Sequence, residues 1–197
     1  MPDQASYDEP MRPSTREALV GAAAELLDEG GPEAVTLREV GRRSGVSHNA
    51  PYKHFADKEA LLAAVAAQEL GRRASSLAAA AEQPPDEAVR TAMHGYVAWA
   101  LENPRRFKLV YGTWRTGSPE LATAADSARS RLVGLVTAAQ NAGALPGGDP
   151  ERLTALILAL AHGAVDLALS GHLARDGKGR ADPDDLIDDL FGHLAKG

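Results

Sequence analysis

From Ser14 onward, apolar residues recur at the three- and four-residue spacing of helices that bury one face. Leu19, Ala22, Ala23, Leu26 and Leu27 form the first stripe; Ser14 or Thr15 can cap it, and Gly30-Gly31-Pro32 stops it. Thr36 and Glu39 have the spacing of a capping box ahead of a short helix that buries Leu37 and Val40 and ends at Gly45. Ser47 is expected to cap a second short helix, with Val46 stapled on Pro51 and Pro51 late enough in the first turn to remove one hydrogen bond. Asp57 caps a long helix reaching about residue 81. Further helices are predicted over about 85–102, from Asn103-Pro104, and over about 119–142, 150–173 and 183–195. The pattern predicts an all-α fold of about nine helices, without strands or internal repeats.

Composition agrees. Alanine and leucine dominate, and β-branched residues are sparse. There is no cysteine, so neither a disulfide nor a thiolate metal site is available. The first 13 residues are polar and proline-rich and read as a flexible arm without the apolar core of a signal peptide. No stretch is expected to reach the length of a membrane span, and a cytoplasmic location is expected. The arm (1–13) precedes a predicted DNA-binding domain over 14–58 and a larger helical domain over 59–197.

Charge sharpens the picture. The chain carries −6 overall. Between Thr36 and Lys58, however, Arg38, Arg42, Arg43, Lys53 and Lys58 stand against only Glu39 and Asp57, a local +3. A basic island of this kind suits duplex DNA, although chance clustering would also produce it. Two short helices joined by a glycine turn and braced by a longer one make a helix-turn-helix, here over about 36–55. Ser47, His48, Asn49 and Ala50 are small or polar enough to enter a major groove. Asn can read adenine, and His or Lys can donate to guanine. Tyr52, Lys53 and His54 continue that polar face. Lys58 and Thr36 stand at helix starts, where amide dipoles favour phosphate. Arg43 is a further candidate for a backbone contact.

The run TLREVGRRSGVSHNAPYKHFADKEALLAAV resembles the DNA-binding segment of the TetR family of bacterial repressors. The likeness lies in its helix lengths, its Gly-Val-Ser turn, its Tyr-x-x-Phe pair and its Lys-Glu-x-Leu-Leu continuation. With the first helix it covers about residues 14–65. Tyr96 to Pro104 and His162-Gly163 are similar to a subgroup named for a Trp-His-Gly signature, but the tryptophan next to that His-Gly is missing. The resemblance implies an all-helical homodimer on a palindromic operator, usually a repressor released by a small molecule. Thr36, Tyr52 and Lys58 would then contact phosphates, and His48, Asn49 and Lys53 would face bases.

Five of the nine aromatic residues, Tyr96, Trp99, Phe107, Tyr111 and Trp114, fall within one short stretch. With Met93, His162 and Asp166 they could line a pocket for a small apolar effector; plain core packing is the competing explanation. The last two helices carry Leu153, Leu156, Ile157, Leu160 and Ala164, then Leu186, Ile187, Leu190, Phe191 and Leu194. These are expected to form the dimer face, as a four-helix bundle. His162, Asp166 and Ser170 share one helical face, but they lie on a single helix with no oxyanion-hole signal. A buried His–Asp pair is expected there rather than catalysis, and no cofactor or metal site is expected. A helical small-molecule-binding protein that never touches DNA is the main alternative, disfavoured by the basic island and the capped turn.

Overall fold

A computed structural model describes residues 13–115 and 117–195. The arm predicted over 1–13 therefore lies outside the described residues, apart from Pro13. The described residues form nine α-helices, one 3-10 turn and no strand; their only bridge pairs Ala174 with Gly179. The chain divides into two compact units, one ending at Leu62 and the other beginning at Ala63.

In the first unit, α1 (Thr15–Gly30) starts on a reciprocal capping box. Ser14 Oγ accepts from the Glu17 amide, and Glu17 accepts from the Ser14 amide at 2.7 Å. A 3-10 turn (Pro32–Ala34) leads to α2 (Leu37–Ser44), and α3 (Ala50–His54) follows. Both short helices pack on α1. Leu19, Leu27, Val35, Val40 and Phe55 are buried, the last beneath the Arg16 guanidinium at 5.3 Å. Too short to hold their own shape in water, α2 and α3 depend on this packing. α4 (Lys58–Ala80) begins in this unit, where Asp57 accepts from the Ala60 amide at 2.8 Å.

The second unit continues with α5 (Pro85–Glu102), α6 (Pro104–Val110), α7 (Pro119–Asn141), α8 (Pro150–Leu169) and α9 (Pro183–Leu194). Each of these five begins on a proline, whose missing N–H has no role at the first helical position. α5 packs against the other four and supplies the buried Met93, Tyr96 and Val97 to the core. Phe107, Val136, Ile157, Ile187 and Phe191 close around them.

α8 ends four residues earlier than its apolar stripe predicts. Gly171 adopts the left-handed conformation (φ 70°), and His172 and Gly171 donate to the Leu167 and Ala168 carbonyls, a Schellman stop. Contrary to the sequence expectation, α8 is long and apolar enough to cross a membrane by length and composition. It nevertheless starts on an Asp149 cap and packs against α5, α7 and α9 within the bundle.

Candidate nucleic-acid interface and effector cleft

The glycine turn has the expected geometry. Thr36 Oγ1 accepts from the Glu39 amide, and Gly45 closes α2 in the left-handed region at φ 68°. The return half of the capping box is absent, because the Glu39 carboxylate takes two hydrogen bonds from Arg42 instead. That pair holds the Glu39 carboxyl below its usual range. α3 starts two residues later than predicted, with Asn49 rather than Ser47 at the cap position. Ser47 offers its carbonyl, not its hydroxyl, to the Ala50 amide, and His48 and Asn49 form a turn. Pro51 sets this boundary. Lacking an N–H, it fits the first turn without cost, so the helix begins around it rather than ahead of it. Its ring packs on α2 so closely that a Cβ at Gly41 would lie 2.9 Å from Pro51 Cγ.

Ser47, His48, Asn49, Tyr52, Lys53 and His54 are exposed along the turn and α3, and Thr36 is exposed at the start of α2. Tyr52 is 54% exposed, an unusual state for so large a ring, and its ring lies 6.3 Å from that of His48. Lys58 is half-buried at the first position of α4.

Two expected contact residues sit elsewhere. Ala50 is buried, 8% exposed, because it faces into the unit from the first turn of α3. Arg43 is turned to α1, where Glu29 takes both ends of its guanidinium at 2.7 and 2.8 Å and Glu25 lies at 3.7 Å. That fork keeps the Glu29 carboxyl below its usual range. Arg43 thus ties α2 to α1 (glutamates four apart on α1 were the available signal). Arg38, counted in the basic island but given no contact role from the sequence, is exposed two residues after Thr36.

In the second unit, Tyr96, Phe107, Tyr111 and His162 form one ring cluster, with centroids 4.7 to 6.3 Å apart. Met93, Tyr96 and Phe107 are fully buried core residues rather than a lining. Burial and the neighbouring Tyr111 hydroxyl push the Tyr96 phenol above its usual range, so it keeps its proton, and its hydroxyl is hydrogen-bonded with His162 Nδ1 at 3.0 Å. Burial also lowers the His162 imidazole, which favours its neutral form. The predicted buried His–Asp pair does not form: Asp166 is exposed and meets Lys108 at 3.3 Å. Trp114 is half-buried.

A cleft of about 420 Å³ lies between the later part of α4 and α5. Of the eight residues expected around an effector, only Trp99 borders it. Glu69, Arg72 and Arg73 line it as well, with Leu77 and Ala92. Glu69 is 4% exposed. It accepts from Arg72 (2.6 Å), Arg106 (2.9 Å) and Trp99 Nε1 (3.3 Å).

The expected dimer stripe is split. Ile157, Ala164, Ile187 and Phe191 are buried in their own chain, whereas Leu156 is 62% and Leu167 47% exposed. Leu153, Leu160, Leu186, Leu190 and Leu194 are half-buried between the two groups. α8 is apolar nearly all round, so periodicity alone could not say which half faces inward.

Residues 19–65 match the family model for bacterial regulatory proteins of the tetR family. Residues 89–194 match that of the tetracyclin repressor-like C-terminal domain. An uncharacterized HTH-type transcriptional regulator of Mycobacterium bovis is 24% identical over 163 residues, 80% of this chain and 83% of that protein. A structure from Rhodococcus sp. RHA1, of a protein with unknown function, superposes with a TM-score of 0.80 at 30% identity, covering 99% of this chain and 98% of that one. Bacillus subtilis FadR, solved in complex with stearoyl-CoA, has a TM-score of 0.67 at 16% identity, over 91% of this chain and 97% of that one, a likeness of fold. The C-terminal match alone spans more than half of the sequence, and the helix-turn-helix lies within the other: the chain belongs to the TetR family of transcriptional regulators.

Proposed function

We propose that this regulator is a homodimeric repressor that binds a palindromic operator through α3 and is released from it by a small ligand held in the second unit. The carrying observation is the run Ser47, His48, Asn49, Tyr52, Lys53: five exposed, polar or hydrogen-bonding side chains on a turn and helix start that pack from behind through Pro51. Asn49 and His48 are assigned to base edges, and Lys53 to a base or phosphate. Thr36, Tyr52, Lys58 and Arg38 are assigned to phosphates, which fix register without reading sequence. Ala50 and Arg43 are left out of the interface, the one because it is buried and the other because it is already forked to Glu29.

The dimer would form through the open side of α8, where Leu156 and Leu167 stand exposed, with the half-buried Leu160, Leu190 and Leu194 beside it. The ligand reading draws on the cleft beside Trp99 and on FadR, whose structure holds an acyl ligand. α4 is continuous, with Lys58 at its first residue and Arg73 about four turns later, so it is the element we assign to pass a shift at the cleft to the DNA-binding unit. A coupling of roughly 1–3 kcal/mol suffices for a 5- to 150-fold change in operator affinity. We assign no catalysis to His162, Asp166 or Ser170: the first is bonded to Tyr96, the second meets Lys108 and the third ends α8.

Fluorescence-anisotropy titration of duplexes covering the DNA upstream of its own gene tests this reading. The expected result is binding at least a hundredfold tighter than to a shuffled duplex, weakening steeply with salt as condensed counterions are released. Equal affinity for both duplexes would refute it and favour a ligand-binding protein without operator specificity.

A further inference from the structure

Arg73 is the group in the second unit whose surroundings leave its charge unanswered. It lines the cleft between α4 and α5, and its guanidinium carbon lies 4.3 Å over the Tyr96 ring. Its Nη2 is shielded from solvent and has no hydrogen-bond partner among the described residues. The nearby carboxylate cannot serve it. Glu69 Oε1 is shared by Arg72 and Arg106, and Oε2 accepts from Trp99. Two guanidinium groups thus share one carboxylate, and among the residues lining the cleft Arg72 and Arg73 leave an excess of one positive charge over Glu69. Burial lowers the Arg73 pKa, opposed only by the neighbouring Tyr111 and Tyr96 side chains and by no carboxylate. The rest of the wall is largely apolar: Leu77, Ala80, Ala92 and the Trp99 ring.

We propose that this cleft binds an organic monocarboxylate, its carboxylate forked on the Arg73 guanidinium and its acyl or aromatic body lying against Leu77, Ala92 and Trp99. A planar carboxylate supplies two acceptors in the geometry a guanidinium presents, and its single charge equals the excess in the wall. Glu69 acts as a positioning residue. By occupying Arg72, Arg106 and Trp99 it leaves Arg73 alone for the ligand and, being buried and negative, repels a second acidic group. The inference rests on the reading that the second unit holds the effector, and it adds an anionic head to the small apolar ligand expected from sequence.

Isothermal titration calorimetry on the full-length protein tests it with two acid–amide pairs: decanoate with decanamide, and biphenyl-4-carboxylate with biphenyl-4-carboxamide. At least one acid should bind ten times or more tighter than its amide. Arg73→Met should erase that preference while leaving amide affinity within about twofold. Amides that bind as well as their acids would overturn the anionic ligand and leave the effector reading standing. If neither member of either pair bound, both the inference and the cleft reading would fall. The ligand-free Tm of Arg73→Met gives a second measure. It should equal or exceed that of the parent if the charge is uncompensated, and a clear fall would assign Arg73 to the core and overturn the proposal.

Discussion

Replacing Gly45 by alanine isolates the turn on which the helix-turn-helix depends. At φ 68° and ψ 15° the backbone is left-handed, and no heavy atom lies within 4 Å of an added Cβ. The cost is therefore conformational rather than steric, about 1–2 kcal/mol for an L-residue in this region. Alanine also restricts the unfolded chain, returning roughly 0.4–1 kcal/mol, so the net loss is about 1 kcal/mol. Gly21, inside α1, also has open space around an added Cβ but ordinary helical geometry. There the same substitution should gain about 0.5–1 kcal/mol. For a chain of this size each kcal/mol moves Tm by roughly 2–4 °C. Scanning calorimetry should thus place Gly45→Ala and Gly21→Ala on opposite sides of the parent, several degrees apart. Gly45→Ala should also weaken operator binding, because its strain is relieved by tilting α3, whereas Gly21→Ala should not. If both substitutions stabilised the protein equally, the left-handed turn would be wrong, and with it the placement of α3.

Three further outcomes are expected. Asn49→Ala should lose discrimination at about one base pair per half-site, roughly 1–3 kcal/mol, whereas Lys58→Ala should weaken binding to all duplexes alike; identical behaviour across operator variants would refute the assigned roles. Leu156→Glu should release monomers in light scattering. Burying two such leucines contributes roughly 2–4 kcal/mol, about 30- to 1,000-fold in dimer dissociation, and an unchanged dimer would move the interface elsewhere. Because burial lowers the His162 imidazole, the unfolded chain binds its proton more readily; stability is complete above about pH 7 and is lost as pH falls through about 6.5. Urea midpoints between pH 7.5 and 5.5 should show that loss, and His162→Gln should reduce it; an unchanged slope in the variant would place the titration elsewhere.

Features set by neighbours within a few residues were legible in the sequence. The Gly45 turn, the Thr36 and Asp57 caps and the start of α5 all follow from local chemistry, and each is found where its residue types require. Failures arose where a distant partner competes or a local rule was misweighed. Arg43 looked like a free cation because its partners, Glu25 and Glu29, lie one helix away. Ser47 has the residue type of a cap, but Pro51 fits best within the first turn, so the helix starts at Ala50 and the cap position moves to Asn49. The helix predicted to about residue 173 overran the stop at Gly171, whose left-handed turn is set by two backbone hydrogen bonds rather than by the apolar pattern. Clustering of aromatic residues located the core of the second unit but not its cleft, since α5 carries Tyr96 into the core and brings only Trp99 of that cluster to the wall. The charged run Glu69, Arg72 and Arg73 in an alanine-rich helix was the overlooked signal.

Hydroxyl-radical footprinting on the duplex bound most tightly tests the central claim directly, because it reads the symmetry and spacing of the contact as well as its existence. Two exposed α3 segments carried by a two-fold dimer should protect two equivalent tracts on one face of the DNA. Their centres should lie about 34–36 Å apart, or a multiple of one helical turn. A single tract without dyad symmetry, or protection no different from that on an unrelated duplex, would contradict the account.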